Sequence, residues 1–319
     1  MRKIVVFNKK LEELSREIEV WSAFEGVEVV TSPAVEEDDL IRDAIDAEII
    51  LFTSARLTRR VLSALKKCKL IVRYGIGYDT IDTEAARELG IMVCNSPNYG
   101  VTDVAEHAFS LMLACMKNLV RLNDRVRNNV WHFDDLGCWH RLSGKTVGFL
   151  GFGKIARAVA SFTKPFGTKT LVYDPFVTPE VLLQYGAEAV AKEELFASSD
   201  VVTLHLPLSE ATRHTVGRAE LALMKESAII INTSRGPIID EAELVKALGE
   251  GRIAGAGLDV FEDESGAIDP ALPKMRNVVL TPHVAWNTFE AVGALHEEVA
   301  MNVARYLRGE RPESIVNGL

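Results

Sequence analysis

Short apolar runs rich in β-branched residues alternate with amphipathic segments along the chain, and this alternation restricts the fold more than any other feature. In the first third, the predicted strands are residues 4–7, 27–30, 49–52, 70–72 and 91–93. Helix-period segments separate them at residues 12–21, 36–45, 58–66 and 83–89. Continuously apolar strands that alternate with helices are typical of a parallel sheet covered on both faces. The first third therefore predicts a doubly wound α/β domain.

The middle of the chain repeats this design with different strands. Six are predicted, at residues 146–150, 170–173, 201–204, 228–231, 256–260 and 278–280. Six strands with helices between most of them match the count of a dinucleotide-binding domain. After Asn287, a single long amphipathic helix is predicted to end at Gly309. A length of 319 residues has room for about two such domains.

The segment 103–122 has so few polar positions that most of a helix surface there needs cover. Two interpretations remain open. The helix is buried inside the monomer, or it is partly buried against a second subunit.

Charge, cysteine content and hydropathy exclude several classes of protein. The net charge of −9 argues against a general electrostatic grip on nucleic acid or on an anionic membrane. The longest apolar stretch, 111–116, is far shorter than the roughly 20 residues of a membrane span. The amino-terminal apolar run ends at Asn8, so it is shorter than a secretory signal of about 7–15 apolar residues. Four widely spaced cysteines suggest neither a disulfide framework nor a zinc ribbon. The expected compartment is the cytoplasm.

A glycine-rich turn follows the first strand of the second set. Gly151 permits the turn, Gly153 lets backbone N–H groups approach a pyrophosphate at the start of a helix, and Ala156 is small enough for close helix–strand packing. The next strand ends at Asp174, where a carboxylate accepts hydrogen bonds from ribose hydroxyls and repels a 2′-phosphate. This favours NAD over NADP, although Lys154 and the nearby Arg157 leave dual use open.

Three further loops each leave a predicted strand at its carboxyl end. They carry Arg235, Asp259 with Glu264, and His283. Since parallel α/β sheets place their sites at this edge, the three loops could converge on one cleft. Arginine offers a planar fork to a carboxylate, and histidine transfers protons near neutral pH. A neighbouring carboxylate would orient the imidazole ring.

The remaining histidines give weaker signals. His132, Cys138 and His140 lie close in sequence, but their spacing fits no common zinc site, and we predict no metal. His107 could contact the cleft, but an ordinary buried histidine is the favoured interpretation.

Taken together, these motifs resemble the D-isomer-specific 2-hydroxyacid dehydrogenase family in order and spacing over nearly the whole chain. The resemblance implies two doubly wound parallel-sheet domains, with a Rossmann NAD-binding domain inserted into a flavodoxin-like substrate domain. The substrate domain would comprise residues 1–98, the NAD-binding domain 99–286, and the returning carboxy-terminal helix 287–319. It also implies interconversion of a D-2-hydroxy acid and its 2-oxo acid with NAD, in a homodimer.

The resemblance assigns roles to individual residues. Arg235 would bind the substrate carboxylate and polarise its carbonyl, His283 would donate the proton, and Glu264 would pair with His283. The implied cofactor positions are Thr102, Gly151, Gly153, Lys154, Ile155, Asp174, Leu206, Pro207, Thr233, Ser234, Arg235, Asp259 and His283. The implied substrate positions are Tyr74, Gly75, Ile76, Arg235, His283 and Trp286.

Two departures from the family pattern bear on function. Ser265 follows Glu264 where family members usually have proline, and Trp286 stands where a small residue is usual. In Trp286 the chain is similar to the C-terminal-binding proteins, which are dehydrogenase-like corepressors, so a dinucleotide-sensing protein with little turnover is the alternative function. A tryptophan there would shape the pocket for a larger or apolar substrate. No basic cluster beyond Arg73 indicates a second phosphate site.

Overall fold

The computed structural model describes residues 1–133, 139–264 and 268–319. The chain divides into two compact units. The first combines Met1–Gly100 with Asn287–Leu319, and the second is Val101–Trp286. Each is built on one parallel sheet with helices on both faces, as the alternation of strands and helices predicts.

The first unit contains a five-stranded sheet in the order β2-β1-β3-β4-β5, which is the flavodoxin-like order. Its strands are β1 (Arg2–Phe7), β2 (Val27–Ser32), β3 (Ile49–Phe52), β4 (Leu70–Arg73) and β5 (Met92–Cys94). Its helices are α1 (Ser15–Trp21, after a 3₁₀ turn at Leu11–Leu14), α2 (Glu37–Ala44), α3 (Arg59–Ala64), α4 (Thr83–Glu88) and α12 (Phe289–Leu307).

Strand β1 shows why both faces of this sheet are covered. Its side chains alternate between two cores, with Val5 and Phe7 in one and Ile4 and Val6 in the other. Helix α12 packs on the second core. It is capped at its start by Thr288, whose side chain accepts the Ala291 N–H, and it ends shortly before Gly309, whose φ is +78°.

The second unit contains a seven-stranded sheet in the order β12-β11-β10-β9-β6-β7-β8. Its strands are β6 (Thr146–Leu150), β7 (Lys169–Tyr173), β8 (Ala187–Ala189), β9 (Val201–Leu204), β10 (Ile229–Asn232), β11 (Gly255–Leu258) and β12 (Val278–Leu280). Its helices are α5 (Val101–Met116), α6 (Leu119–Arg127), α7 (Lys154–Thr163), α8 (Pro179–Tyr185), α9 (Lys192–Ser198), α10 (Arg218–Leu223) and α11 (Glu241–Gly249). The strand order reverses between β6 and β9, and this Rossmann switch point is where α/β proteins bind dinucleotides.

The prediction of six strands in this unit was wrong by one. Strand β8 pairs with β7 at the sheet edge, but it has only three residues and contains none of the β-branched residues that carried the prediction. The prediction of one helix over 103–122 was also wrong. The segment forms α5 and α6, which are separated at Asn118, whose backbone is left-handed at φ +48°.

The break divides the apolar surface of this segment into a covered part and an uncovered part. Helix α5 buries Leu111 and Met112 within the second unit's own core, as the intramolecular interpretation requires. Helix α6 has no buried residue and exposes Leu119, Val120 and Val126. Within the described ranges, no helix is long and apolar enough to span a bilayer.

Candidate active site

The glycine-rich turn joins β6 to α7 at the switch point of the second sheet. Gly151 has φ +86°, and a Cβ atom there would lie 2.6 Å from the carbonyl oxygen of His205. Gly153 caps α7, and a Cβ atom there would have no neighbour within 4 Å. The first glycine is therefore required by the fold, whereas the second leaves the backbone N–H groups of the helix start open to a ligand.

The Asp174 carboxylate lies at the end of β7 and is tied to this turn. It accepts hydrogen bonds from the Phe152 N–H at 2.7 Å and from the Phe176 N–H at 2.8 Å. An acidic side chain held here is suited to the ribose hydroxyls of a dinucleotide without a 2′-phosphate.

The loop after β10 contains a polar atom that the protein leaves unsatisfied. Among the described residues, the buried hydroxyl of Thr233 has no hydrogen-bond partner, whereas its neighbour Ser234 donates to the Leu204 carbonyl. Buried polar atoms are almost always paired, so this hydroxyl is one that a bound molecule would satisfy. The Thr233 hydroxyl, the open start of α7 and the Asp174 carboxylate together show that the residues present fit a dinucleotide.

The other predicted cofactor residues surround the same edge of the sheet. Lys154 is exposed in the first turn of α7, and Thr102 is exposed in the first turn of α5. Ile155 and Leu206 are partly buried against the cores, and Pro207 accepts a hydrogen bond from Thr212 at 2.7 Å. Their contacts with the cofactor stay predictions.

Arg235 lies in the same loop as Thr233. The loop is fixed by the Asn232 side chain, which donates to the Arg235 carbonyl at 2.9 Å, and the Arg235 guanidinium donates to the Ser234 carbonyl at 2.8 Å. At Gly236 a Cβ atom would lie 1.8 Å from the carbonyl oxygen of Phe261. This loop therefore packs backbone against backbone on the segment that leads to Glu264.

His283 and Glu264 form a hydrogen-bonded pair. The Nδ1 atom of His283 lies 2.7 Å from a Glu264 carboxylate oxygen, and the side chains are 39% and 40% exposed. Because Glu264 engages Nδ1, the other ring nitrogen, Nε2, is the one that can exchange a proton with a substrate.

Nearby charge and burial shift the pKa of Glu264 in opposite directions. Burial on its own would raise the pKa of this carboxyl, but the hydrogen bond and charge of His283, the Phe261 N–H and the charge of Arg235 together hold the pKa below its ordinary value. The structure thus brings Arg235, Glu264 and His283 together within one unit.

The turn that carries His283 is organised by Asp259, which follows β11 and is fully buried. The Asp259 carboxylate accepts the Thr281 hydroxyl at 2.6 Å and the N–H groups of Val284 and Ala285 at 3.0 and 2.9 Å. The Asp259 carbonyl accepts the His283 N–H at 2.8 Å. Asp259 therefore positions the turn, and its predicted contact with the cofactor stays a prediction.

The predicted substrate residues of the first unit follow β4. The Tyr74 side chain is buried and donates its hydroxyl to Glu17 at 2.7 Å, so it points into the core of its own unit. Gly75 has φ +143°, and the Ile76 carbonyl accepts the Asn95 side chain at 2.7 Å. Their roles, and that of the partly buried Trp286 in the second unit, stay predictions.

The contacts of Thr281 were not predicted from the sequence, and two residues that the sequence singled out lie outside the part of the chain that the structure describes. Asp259 and His107 meet Thr281 only through tertiary packing. The sequence left a contact of His107 with the cleft open but favoured an ordinary buried histidine, whereas the His107 side chain is 24% exposed and contacts Thr281. Ser265 and Cys138, the latter a member of the sequence cluster with His132 and His140, lie outside the described residues.

Comparison with known proteins agrees with this geometry. The family model described as D-isomer specific 2-hydroxyacid dehydrogenase, NAD binding domain, matches residues 109–285, more than half of the chain. A glyoxylate reductase of Thermococcus litoralis is 42% identical over 280 residues, which are 86% of this chain and 84% of that protein.

Two solved structures are similar over almost their full length. A glyoxylate reductase from Paecilomyes thermophila has a TM-score of 0.91 and 30% identity, covering 99% of this chain and 98% of that chain. A D-lactate dehydrogenase from Aquifex aeolicus, solved with NAD and lactic acid, has a TM-score of 0.87 and 30% identity, covering 96% of both chains. Nothing in these comparisons supports the dinucleotide-sensing alternative.

Proposed function

The chain belongs to the D-isomer-specific 2-hydroxyacid dehydrogenase family, and we propose that it reduces a short, unphosphorylated 2-oxo acid of the glyoxylate class with NADH. NAD-dependent interconversion of 2-hydroxy and 2-oxo acids is the activity of the family. The size of the substrate and the residue roles below are the proposal. The observation that carries the residue roles is the His283–Glu264 pair, with the charge of Arg235 acting on it, at the carboxyl edge of the second sheet. The size of the substrate is supported by the similarity to glyoxylate reductases.

Arg235 binds and polarises the substrate in this proposal. Its guanidinium is a planar, permanently charged fork that matches a carboxylate, and the same charge draws electron density from the adjacent C2 carbonyl. Because the loop is held by Asn232 and by the close packing at Gly236, the guanidinium is positioned before the substrate arrives.

His283 supplies the proton. Glu264 holds Nδ1 and compensates the positive charge of the imidazolium, so Nε2 carries the proton that passes to the carbonyl oxygen. NADH supplies the hydride that C2 receives. In the direction of oxidation the same nitrogen accepts the hydroxyl proton.

Turnover measurements on a panel of acids test this proposal. NADH consumption is followed with glyoxylate, pyruvate, a phosphorylated 2-oxo acid and bulky phenylpyruvate, the last because of Trp286. We expect the highest kcat/KM for the shortest acid and a loss of about 10³-fold in Arg235→Gln. Arg218→Gln, which removes an exposed guanidinium in the first turn of α10, is the matched control and stays within about twofold of wild type.

The outcomes separate the parts of the proposal. A phosphorylated or bulky acid preferred by about tenfold or more contradicts the substrate class, since that difference equals roughly 1.4 kcal/mol of transition-state binding. Equal activity of Arg235→Gln and wild type contradicts the role of Arg235.

We also propose that the protein forms a homodimer through α6. This helix has no buried residue, yet it exposes Leu119, Val120 and Val126, and the following segment exposes Trp131 and Phe133. Exposed apolar clusters of this kind are typical of surfaces that another protein covers. A second copy of the chain is the occupant that the family resemblance implies.

Light scattering over a dilution series tests the assembly. Wild type is expected at twice the mass of one chain, and Val126→Glu is expected to shift it towards the monomer, since a charge would be buried in the interface. Leu183→Glu is the control, because Leu183 is an apolar side chain on α8 that is even more exposed than Val126. A monomeric wild type at all concentrations overturns the dimer.

A cytoplasmic location completes the proposal. Its support is that Cys68, Cys94 and Cys115 are free thiols, as expected in a reducing compartment. Fractionation of cells followed by the activity assay above checks it, and activity recovered outside the cytoplasmic fraction contradicts it.

A further inference from the structure

His107 contacts the turn that carries His283, although the proposed mechanism gives it no task. It lies on α5, its side chain is 24% exposed, and its Nε2 atom is 2.9 Å from the hydroxyl oxygen of Thr281. We infer that His107 is a positioning residue that locks the proton donor's turn through Thr281 and Asp259. This inference rests on the proposed function, since it concerns how His283 is held for proton transfer.

The directions of the hydrogen bonds follow from counting donors. Asp259 receives the Thr281 hydroxyl and two backbone N–H groups, so its carboxylate acts only as an acceptor. A threonine hydroxyl has one proton, and Thr281 donates it to Asp259. Its oxygen must then accept from His107, which fixes the proton of that imidazole on Nε2.

The turn needs this fixation because its backbone is strained. His283 has φ +54°, a left-handed conformation that costs a non-glycine residue free energy and persists only where the surroundings enforce it. Asp259 anchors the residues after His283, through Val284 and Ala285. Thr281 fixes the residues that precede His283, through its own bond to Asp259. The bond from His107 to Thr281 therefore stabilises the turn on the amino-terminal side of His283.

The position of His107 also matters electrostatically. Its Nε2 atom lies 3.6 Å from a carboxylate oxygen of the fully buried Asp259. A buried carboxylate is costly unless donors surround it, and His107 supports one of these donors, the Thr281 hydroxyl, rather than bonding to the carboxylate directly. Losing the donor would leave the Thr281 side chain bonded to Asp259 alone, beside the backbone bond from the Thr281 N–H to the Leu258 carbonyl, and would allow the turn to shift.

Variants of His107 test the inference through catalysis. In His107→Leu, which retains bulk without a donor, we expect kcat to fall about tenfold while KM for NADH stays within about twofold. His107→Gln retains an N–H donor near the position of Nε2 and is expected to recover most of the loss. Thr281→Val should cost at least as much as His107→Leu, because it also removes the bond to Asp259, and the double variant should cost no more than Thr281→Val alone, because His107 acts through Thr281.

A matched control separates positioning from general loosening of α5. Phe109→Leu lies two residues further along the same helix and weakens packing against Phe162 and Phe166 without touching the turn. Its thermal stability should fall as in His107→Leu, while its kcat stays within about twofold of wild type. Equal kcat losses in Phe109→Leu, His107→Leu and His107→Gln would assign His107 a purely structural role and overturn the inference.

A readout that needs no turnover keeps this test separate from the proposed function. In protein labelled with ¹⁵N-histidine, the ring resonances of His283, assigned with His283→Asn, are expected to move in His107→Leu and to stay in Phe109→Leu. Unchanged His283 resonances in His107→Leu overturn the inference even if the enzyme is active. Failure of wild type to reduce any 2-oxo acid contradicts the proposed function and leaves this spectroscopic result to decide the role of His107.

Discussion

Each of the two units contains a histidine–glutamate pair of nearly the same geometry. In the second unit, His283 Nδ1 lies 2.7 Å from Glu264, and in the first unit His296 Nδ1 lies 2.6 Å from Glu17. Judged by distance alone, either pair could be a proton donor with its orienting carboxylate.

Their surroundings differ in every respect that matters for chemistry. His283 and Glu264 are 39% and 40% exposed, whereas His296 and Glu17 are 12% and 0% exposed. The Nε2 atom of His296 lies 3.4 Å from the ammonium group of Lys9, and Glu17 also accepts the hydroxyl of Tyr74. The second nitrogen of His296 therefore has a protein neighbour in a buried setting, whereas the side chain of His283 is partly exposed and the charge of Arg235 acts on its partner Glu264.

A paired histidine is therefore a candidate catalyst because of its exposure and the charge nearby rather than because of the pairing itself. The buried pair joins α1, the end of β4 and α12, and its contribution is to the cohesion of the first unit. The exposed pair joins two loops at the edge where the predicted ligands bind.

Replacing each histidine by asparagine should separate the two pairs most strongly. Asparagine retains a donor near Nδ1 but removes the proton carried by Nε2. We expect His283→Asn to lower kcat by about 10³-fold, within the range for loss of a general acid, whereas His296→Asn stays within about threefold. Steady-state assays with NADH and the preferred acid measure both. A comparable loss in the two variants would mean that access does not distinguish the pairs.

The glutamates give the next largest effect. Glu264→Gln is expected to lower kcat by about 10- to 100-fold, because the imidazolium loses its charge partner. Glu17→Gln is expected to leave kcat near wild type and to lower the free energy of unfolding by about 1–3 kcal/mol, since a neutral amide oxygen is a weaker acceptor than a carboxylate and the amide nitrogen would occupy the position of Oε2, a buried atom without a hydrogen-bond partner among the described residues. Urea unfolding of both variants checks the second value, and a stability loss confined to Glu264→Gln would contradict the contrast.

Tyr74→Phe tests the buried pair of the first unit further. Removing the hydroxyl takes one of two donors from Glu17 Oε1, and we expect a loss of about 1 kcal/mol in the free energy of unfolding. If the Tyr74 side chain serves only its own core, KM for the acid is unchanged. A several-fold increase in KM would show that the hydroxyl also aligns the predicted substrate turn.

The smallest expected effect is the pH dependence of stability. Since Glu264 has a folded-state pKa below its ordinary value of 4.5, its stabilising contribution is present above that value and is lost as the pH falls through the lowered pKa. Melting temperatures of wild type and Glu264→Gln should therefore differ at neutral pH and converge below pH 4.5. The difference is small because water screens a pair exposed to this extent. Curves that diverge towards acid pH would contradict the sign.

Much of the fold follows from local patterns in the sequence. A buried parallel strand such as β3 is continuously apolar, so its position was predicted closely. The short edge strand β8 was missed because it contains no such run. The division of α5 from α6 was missed because it depends on the left-handed backbone of Asn118. Asparagine also occurs inside helices, so its presence in the sequence did not mark the break.

The candidate site was predictable where it depends on strand ends. Arg235, Glu264 and His283 follow β10, β11 and β12, and strands of a parallel sheet deliver their carboxyl ends to one edge. The supporting contacts were not predictable in this way. His107 meets Thr281 across 174 residues of sequence, and Glu17 meets His296 across 279, so only tertiary packing brings them together.

The backbone contact at Gly236 has a consequence for engineering. With no room for even a methyl group against Phe261, the arginine-bearing and glutamate-bearing loops form one interlocked piece. Mutant libraries that vary either loop separately will therefore yield combinations whose effects do not add, and altered acid selectivity is better sought by varying both loops in a single library with residue 236 kept as glycine.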